Sequence, residues 1–282
     1  MREHQSAYPV KISCKTLGVS RSGYYRWVSS PTSEREINNL VLIRRIEDIH
    51  RASKKTYGSP RIHAQLQALG WDCGRGRVER LMRRHGIRSK VKRRFRLTTN
   101  SEHNERIAPD LLHRCFSVTE PNRVWASDVT YLWTNEGWLY LAVTLDLFSR
   151  KVVGWSMASR LTSELAMNAL NSALVARQIK PGLIHHSDRG REYASYPFRA
   201  LLKSHGISQS MSRRADCWDN AVVESFFHTL KTEFVHHERF QTRSEARQKV
   251  FEWIEIYYNR QRLHSTLGFT PPAEYEKQTH VA

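Results

Sequence analysis

Val124-Trp-Ala-Ser-Asp-Val-Thr-Tyr-Leu132 reads as a β-strand that places one carboxylate, Asp128, in its middle. Two further strands are expected at 138–147 and 151–157, joined through Glu136-Gly137 and Ser149-Arg150, so the three form an antiparallel meander. Beyond them the pattern alternates: a helix near 162–177, a strand at 182–187, a helix near 197–205, a short strand at 207–211 and a helix through Glu224. Three strands followed by alternating helices and strands give an α/β fold, a mixed sheet with helices on its faces. A last helix is expected near 243–258, running into the basic tail Asn259-Arg-Gln-Arg-Leu-His264.

Two more carboxylates stand out. Asp188 ends the strand Gly182-Leu-Ile-His-His-Ser-Asp188, and Glu224 lies within Asp219-Asn-Ala-Val-Val-Glu-Ser-Phe-Phe227 after an interval of 35 residues. At about 100° per residue from Glu224, the apolar Val222, Val223, Phe226, Phe227, Leu230 and Phe234 centre roughly 120° away. Asn220, His228 and Lys231 lie within about 40° of Glu224. Glu233, opposite Glu224, is the misfit, and Asp219 is a suitable N-cap. Taken alone, such a helix has a solvated polar face and nothing more. Three acids on two strand ends and a helix are also what a two-metal phosphoryl-transfer site requires, because hard cations take oxygen ligands from rigid elements.

The charge is uneven. The net charge is +18, and residues 1–120 hold 25 Lys+Arg against 11 Asp+Glu, or +14, leaving 20 against 16, or +4, for 121–282. A basic front module joined to a nearly neutral body suggests a nucleic-acid grip on a catalytic domain. No apolar run approaches a membrane span and no signal-peptide core is seen, so a cytoplasmic protein is expected. Cys14, Cys73, Cys115 and Cys217 form no C-x-x-C pair and are expected to be free thiols. His185-His186 and His236-His237 lack the partners of a zinc site.

The front module reads as short helices. Val10–Leu17, a turn at Gly18 and Arg21–Trp27 resemble half of a helix-turn-helix. Arg35–Arg51 follows as a charged helix with Ile37, Leu40, Val41, Arg44 and Ile46 at helical spacing. Ser59-Pro60 is expected to cap a helix bearing Ile62, Leu66 and Leu69, stopped at Gly70. The helix Arg75–His85 has Val78, Leu81 and Met82 on its apolar side and Arg77, Arg80, Arg83 and Arg84 opposite. That front suits phosphates and a DNA groove, and Lys90, Lys92, Arg93 and Arg94 extend it within Arg88–Arg96, six basic residues in nine. Residues 101–120 lack periodicity and read as a linker. The expected organisation is therefore a helix-turn-helix region over 1–100, that linker, a catalytic core over 121–275 and a tail over 276–282.

Trp125-Ala-Ser-Asp128-Val-Thr-Tyr131, His186-Ser-Asp188-Arg-Gly190 and Asp219-Asn-Ala-Val-Val-Glu224-Ser-Phe-Phe227 resemble the three blocks of a DDE transposase. The likeness is to the second-frame (OrfB) product of bacterial insertion sequences related to retroviral integrases. Lys231, seven positions after Glu224, fits it, as do Val19–Tyr25, Tyr57–Ile62, and Tyr258–Ser265 with Leu267-Gly268 and Pro271-Pro272. The resemblance implies a ribonuclease-H-like core in which Asp128, Asp188 and Glu224 hold two Mg²⁺ or Mn²⁺ ions, with Lys231 near the DNA. It also implies nicking at element ends and joining to target DNA, with no covalent intermediate, so Ser187 and Ser225 are not nucleophiles. Asp146, Asp216 and Asp219 are expected to stand outside the site. The implied partners are element-end and target DNA, further copies of the chain and an upstream-frame protein or fusion, in a nucleoid setting. The alternatives are a DNA-binding regulator with an inert core, or a related nuclease that cuts without joining.

Overall fold

A computed structural model describes residues 1, 6–29, 33–90, 105–213 and 217–279. The chain divides into two compact units, Met1–Ser89 and Lys90–Ala282.

The first unit is helical: α1 (Val10–Thr16), α2 (Arg21–Ser29), α3 (Glu34–Ala52), α4 (Ser59–Ala68) and α5 (Arg75–Arg84). Ser33 caps α3 through the Glu36 N–H, and Gly18, Gly70 and Gly86 take the left-handed conformation that stops helices. Ile62 and Leu66 of α4 and Val78, Leu81 and Met82 of α5 are buried, as their spacing predicts. On α3 the buried face is Leu42, Ile43, Ile46, Ile49 and His50, while Ile37, Leu40 and Val41 are exposed. The packed stripe is thus rotated and shifted toward the C-terminal half of α3. Gly58, not Ser59, occupies the cap of α4, and Leu69 lies exposed just past its last turn.

In the second unit, β1 (Val124–Thr134), β2 (Gly137–Asp146) and β3 (Val152–Ala158) form the antiparallel meander, and β4 (Ile184–Ser187) and β5 (Ser208–Met211) add parallel strands. The order is β3-β2-β1-β4-β5, a ribonuclease-H-like mixed sheet. Between β3 and β5 run α6 (Ser163–Ala176), α7 (Arg191–Ala194) and α8 (Tyr196–Ser204). After β5 come α9 (Ala221–Glu233), α10 (Arg243–Phe251) and α11 (Pro272–Thr279). One sheet face carries Ala126, Leu132, Leu139, Leu141 and Val143 against Phe226 and Leu230 of α9 and Val250 of α10. On the other face Trp125 and Val153 meet Leu170 of α6 and Phe198 of α8. Alternation along the strands sorts these side chains. A Cβ at Gly154 would collide with the backbone of α6 at Ala169, so glycine lets that helix lie directly on β3.

The structure adds to or departs from the sequence pattern at four places. Helix α10 ends at Phe251 and continues as a π-helical stretch, Glu252–Tyr258, which turns Trp253, Ile254, Tyr257 and Tyr258 into the core beside Phe226. The stretch 259–264 is not a solvated basic tail. Asn259 is buried and exchanges two 3.0 Å hydrogen bonds with the Val152 backbone, and Arg262 is buried in a bidentate pair with Glu233 at 2.7 and 2.8 Å. That pair accounts for the misfit Glu233. Residues 105–120, expected as linker, have no helix or strand but grip the core through Leu112, Phe116 and Val118, and the Leu111 N–H donates to Ser210 Oγ at 2.9 Å. Finally, Glu276 in the expected tail is buried and accepts from Arg177 at 2.7 and 3.0 Å and from Ser149 at 2.6 Å.

Candidate active site

Ser127 of β1 is paired with Ser187 of β4 in parallel register, so Asp128, within β1, and Asp188, just past the end of β4, lie on neighbouring strands. From the sheet face covered by α9, Glu224 joins them in one open cleft of about 1460 Å³. Lys231, two turns further along α9, lines the same cleft. The structure therefore brings together Asp128, Asp188, Glu224 and Lys231, the four candidates for the chemistry.

The electrostatics of the cluster are those of acids held against their preference. Burial, and then the Asp188 carboxylate, hold Asp128 well above the usual carboxyl range; the Val129 N–H, 2.7 Å from Oδ1, offsets part of this. Glu224 is raised as well, by burial and then by Asp188. Lys231 is lowered by burial, against the pull of Tyr131 and Asp128, and its Nζ lies 5.0 Å over the Tyr131 ring. It is partly buried rather than freely solvated.

A fourth carboxylate lines the cleft. Glu192 on α7 adds to the repulsion on Asp128. The Gly190 N–H donates to Asp188 Oδ1 at 2.9 Å, and a Cβ there would stand 2.6 Å from Glu192 Oε1, so that side chain would have to shift. Only the short interval from Asp188 could have pointed to Glu192, since four residues of helix show no periodicity.

The acids set aside in the sequence have structural partners. Asp146 is buried and accepts from the backbone N–H groups of Asn122, Phe148 and Ser149, closing the turn into β3. Asp219 does not cap α9; Asn220 holds that position without a side-chain bond. Instead Asp219 is buried between Arg213 and Arg114, each at 2.9 Å, and Arg213 above all holds it below the usual range. Asp216 lies outside the described residues.

His185 and His186 are buried within the sheet. His185 bonds Ser127 Oγ at 2.8 Å and is lowered by burial to about 3, while His186 bonds Ser210 Oγ at 2.8 Å and the Asp219 carbonyl at 2.9 Å. Cys14 and Cys73 are buried free thiols and Cys115 an exposed one.

Among the described residues no three His, Cys, Asp or Glu side chains converge as a formed metal cage. The donor set of Asp128, Asp188, Glu224 and Glu192 is nonetheless all carboxylate oxygen; Asp188, Glu192 and Glu224 raise Asp128, and Asp188 raises Glu224. That chemistry suits a hard divalent cation, which would relieve the repulsion.

In the first unit, Arg80, Arg83 and Arg84 of α5 are exposed and Arg77 is partly buried. Three have protein partners: Arg77 donates to Asn39 at 3.0 Å, Arg83 to Glu79 at 2.9 Å, and Arg84 lies 3.3 Å from Glu36. Arg80 has none among the described residues. Lys90 is exposed, and Lys92, Arg93 and Arg94 lie outside the described residues.

Family models described as Integrase core domain match residues 118–217 and 205–272, and one described as HTH-like domain matches 36–95. The insertion element IS600 uncharacterized 31 kDa protein of Shigella sonnei is 45% identical over 267 residues, which cover 95% of this chain and 98% of that one. The transposase InsF for insertion sequence IS3A of Escherichia coli (strain K12) is 40% identical over 285 residues, with coverages of 99% and 97%. Among solved structures, a simian T-cell lymphotropic virus intasome aligns at 16% identity and TM-score 0.47, covering 82% of this chain and 74% of that one. The HTLV-2 integrase catalytic core domain in complex with magnesium aligns at 19% identity and TM-score 0.43, covering 56% and 97%. With close relatives matched from end to end, the chain belongs to the IS3 family of insertion-sequence transposases, enzymes of the DDE transposase and integrase class.

Proposed function

We propose that the cleft of Asp128, Asp188 and Glu224 is where this transposase nicks the ends of its element and joins them to target DNA. The observation that carries the reading is the convergence of these three acids, from the middle of β1, the end of the parallel β4 and a facing helix, on one open cleft. In each step an oxygen, of water for nicking or of a DNA 3′-hydroxyl for joining, attacks phosphorus in line. A new P–O bond forms, the bond to the 3′-oxygen breaks, the attacking oxygen gives up its proton and the leaving oxygen takes one. Two Mg²⁺ or Mn²⁺ ions held by the three acids would lower the pKa of the attacking oxygen and stabilise the leaving one. The protein's own part is to orient the acids from rigid elements; burial and neighbouring carboxylates raise Asp128 and Glu224, so bound cations would be what favours their ionised form. Lys231, kept in place over Tyr131, meets a phosphate beside the scissile bond.

In the same reading the first unit, with the basic run that follows it, grips the element ends. Helix α5 presents Arg80, Arg83 and Arg84 outward from a buried apolar back, as a recognition helix does, and the basic run 88–96 adds phosphate contacts. Further copies of the chain and an upstream-frame protein complete the assembly on DNA in the bacterial nucleoid. Among the described residues no helix is long and apolar enough to cross a membrane.

The test is a nicking and joining assay on end DNA with the upstream-frame partner supplied. Asp128→Asn and Asp188→Asn should lose both reactions by orders of magnitude while still binding ends. Mg²⁺ or Mn²⁺ should be required, and Ca²⁺, with looser coordination, should support little chemistry. A wild-type protein that binds ends and never cuts would put the regulator in place of the enzyme, and one that cuts without joining would make it a nuclease.

A further inference from the structure

The cleft continues well past the carboxylates. β4 accompanies β1 only through Ser127, and beyond that point β1 lines the cleft from Asp128 to Trp133. At about 3.3 Å per residue, Trp133 stands roughly 17 Å along the strand from Asp128. It faces Trp138 directly across the β1–β2 hairpin, with ring centroids 4.8 Å apart and planes at 77°. Tyr131 meets Trp138 edge-on at 4.9 Å. Despite this pairing, Trp133 is 57% exposed and Trp138 44%. Indole surface left in water forgoes the burial that draws such rings into cores, so two of them at a cleft rim need an occupant.

The surroundings say which occupant. Lys231 lies on the way from the carboxylates, over Tyr131. At the far rim Arg239 is exposed, with no ion-pair partner among the described residues, whereas the neighbouring Glu238 is matched by Lys249 at 2.8 Å. Aromatic faces alternating with cations suit a strand of nucleic acid, rings for bases and cations for phosphates. A protein partner would need about 800 Å² of matching surface on each side, far more than two indoles offer.

We propose that Trp133 and Trp138 form a stacking platform for unpaired nucleobases of the end DNA, whose scissile phosphate lies at the carboxylates. The inference rests on the catalytic reading of the cleft and adds a base-binding site to it. Paired bases hide their faces in the helix, so the platform acts on bases that leave the stack. Because alternation turns Trp133, five positions from Asp128, to the other face of the strand, roughly 17 Å is the least separation, about five nucleotides at the 3.4 Å spacing of a stacked strand and fewer in a strand drawn out.

The experiment uses the full chain with its partner and end duplexes carrying 2-aminopurine, one position at a time, over the nucleotides next to the scissile phosphate. Wild type should change the probe's fluorescence at one or two positions, and Trp133→Ala should abolish that change. Trp133→Ala should also lower end affinity by about 5- to 100-fold, with Trp133→Phe restoring most of it and Trp133→Leu little. Making the responsive position abasic should render wild type and Trp133→Ala equal. The proposal is overturned by wild-type binding in Trp133→Ala, by rescue with Leu as good as with Phe, or by an altered oligomeric state of Trp133→Ala without DNA, which would mark a surface for a second copy. Glu224→Gln in the same joining assay separates the two levels. If it is inactive while Trp133→Ala is normal, the platform alone fails; if Glu224→Gln joins normally, the catalytic reading fails beneath it.

Discussion

Helix α9 carries two glutamates in opposite surroundings. Glu224 faces the cleft, where burial and Asp188 raise it. Glu233, on the back of the helix, is buried and held by two hydrogen bonds from Arg262, whose own affinity for its proton rises in spite of burial. The contrast extends through the unit. Asp128 is raised in the cleft, while Asp219 is held down by Arg213 and Arg114 behind it. Burial by itself would raise Glu276, but hydrogen bonds from Arg177 and Ser149 outweigh it and hold that carboxyl below its ordinary value. A carboxylate answered by arginine stabilises the fold. Carboxylates crowded together without such partners store repulsion, which a ligand can use.

The comparison can be strained from both sides. The largest change in stability should come from Arg262→Met, which leaves Glu233 buried and charged; we expect a loss of about 3–5 kcal/mol in urea unfolding. Adding Glu233→Gln should recover part of that loss, and no recovery would mean that Arg262 acts through packing alone. A smaller effect, on the order of 1–3 kcal/mol at pH 7, is expected for Glu276→Gln. Because the folded pKa is depressed, this stability is present above the ordinary value of 4.5 and is lost as pH falls through the lower folded value. Wild type and variant should therefore converge as pH falls below 4.5, and a gap that does not narrow at all would point to shape instead of charge. The smallest shift in stability, under about 1 kcal/mol, is expected for Lys231→Ala, which loses only its place over Tyr131. Joining by that variant should nevertheless fall about tenfold or more, the effect of losing a charged contact to phosphate. Unchanged joining would assign Lys231 to the fold.

The cleft acids were legible because each sits in a local pattern: Asp128 in a strand, Asp188 at a strand end, Glu224 off the apolar stripe of its own helix. The meander was legible for the same reason, its turns being short. What escaped depends on partners distant in sequence. Arg262 looked like one charge in a basic tail because Glu233 lies 29 positions away, and Glu276 looked like a terminus because Arg177 lies 99 away. Residues 105–120 read as linker because their apolar residues anchor singly, without a period to detect. On α3, Ile37, Leu40 and Val41 matched a helical spacing and still face outward, since the packing of α4 and α5 selects which apolar stripe is buried.

The most direct measurement sets Glu224→Gln beside Glu233→Gln, each assayed for urea midpoint and for metal-dependent nicking and joining. Glu224→Gln should unfold at or above the wild-type midpoint and lose both reactions by orders of magnitude. Glu233→Gln should unfold at lower urea, and its folded fraction should still cut and join. Full activity in Glu224→Gln, or a fall in its midpoint as large as that of Glu233→Gln, would contradict the division between cleft and supporting acids.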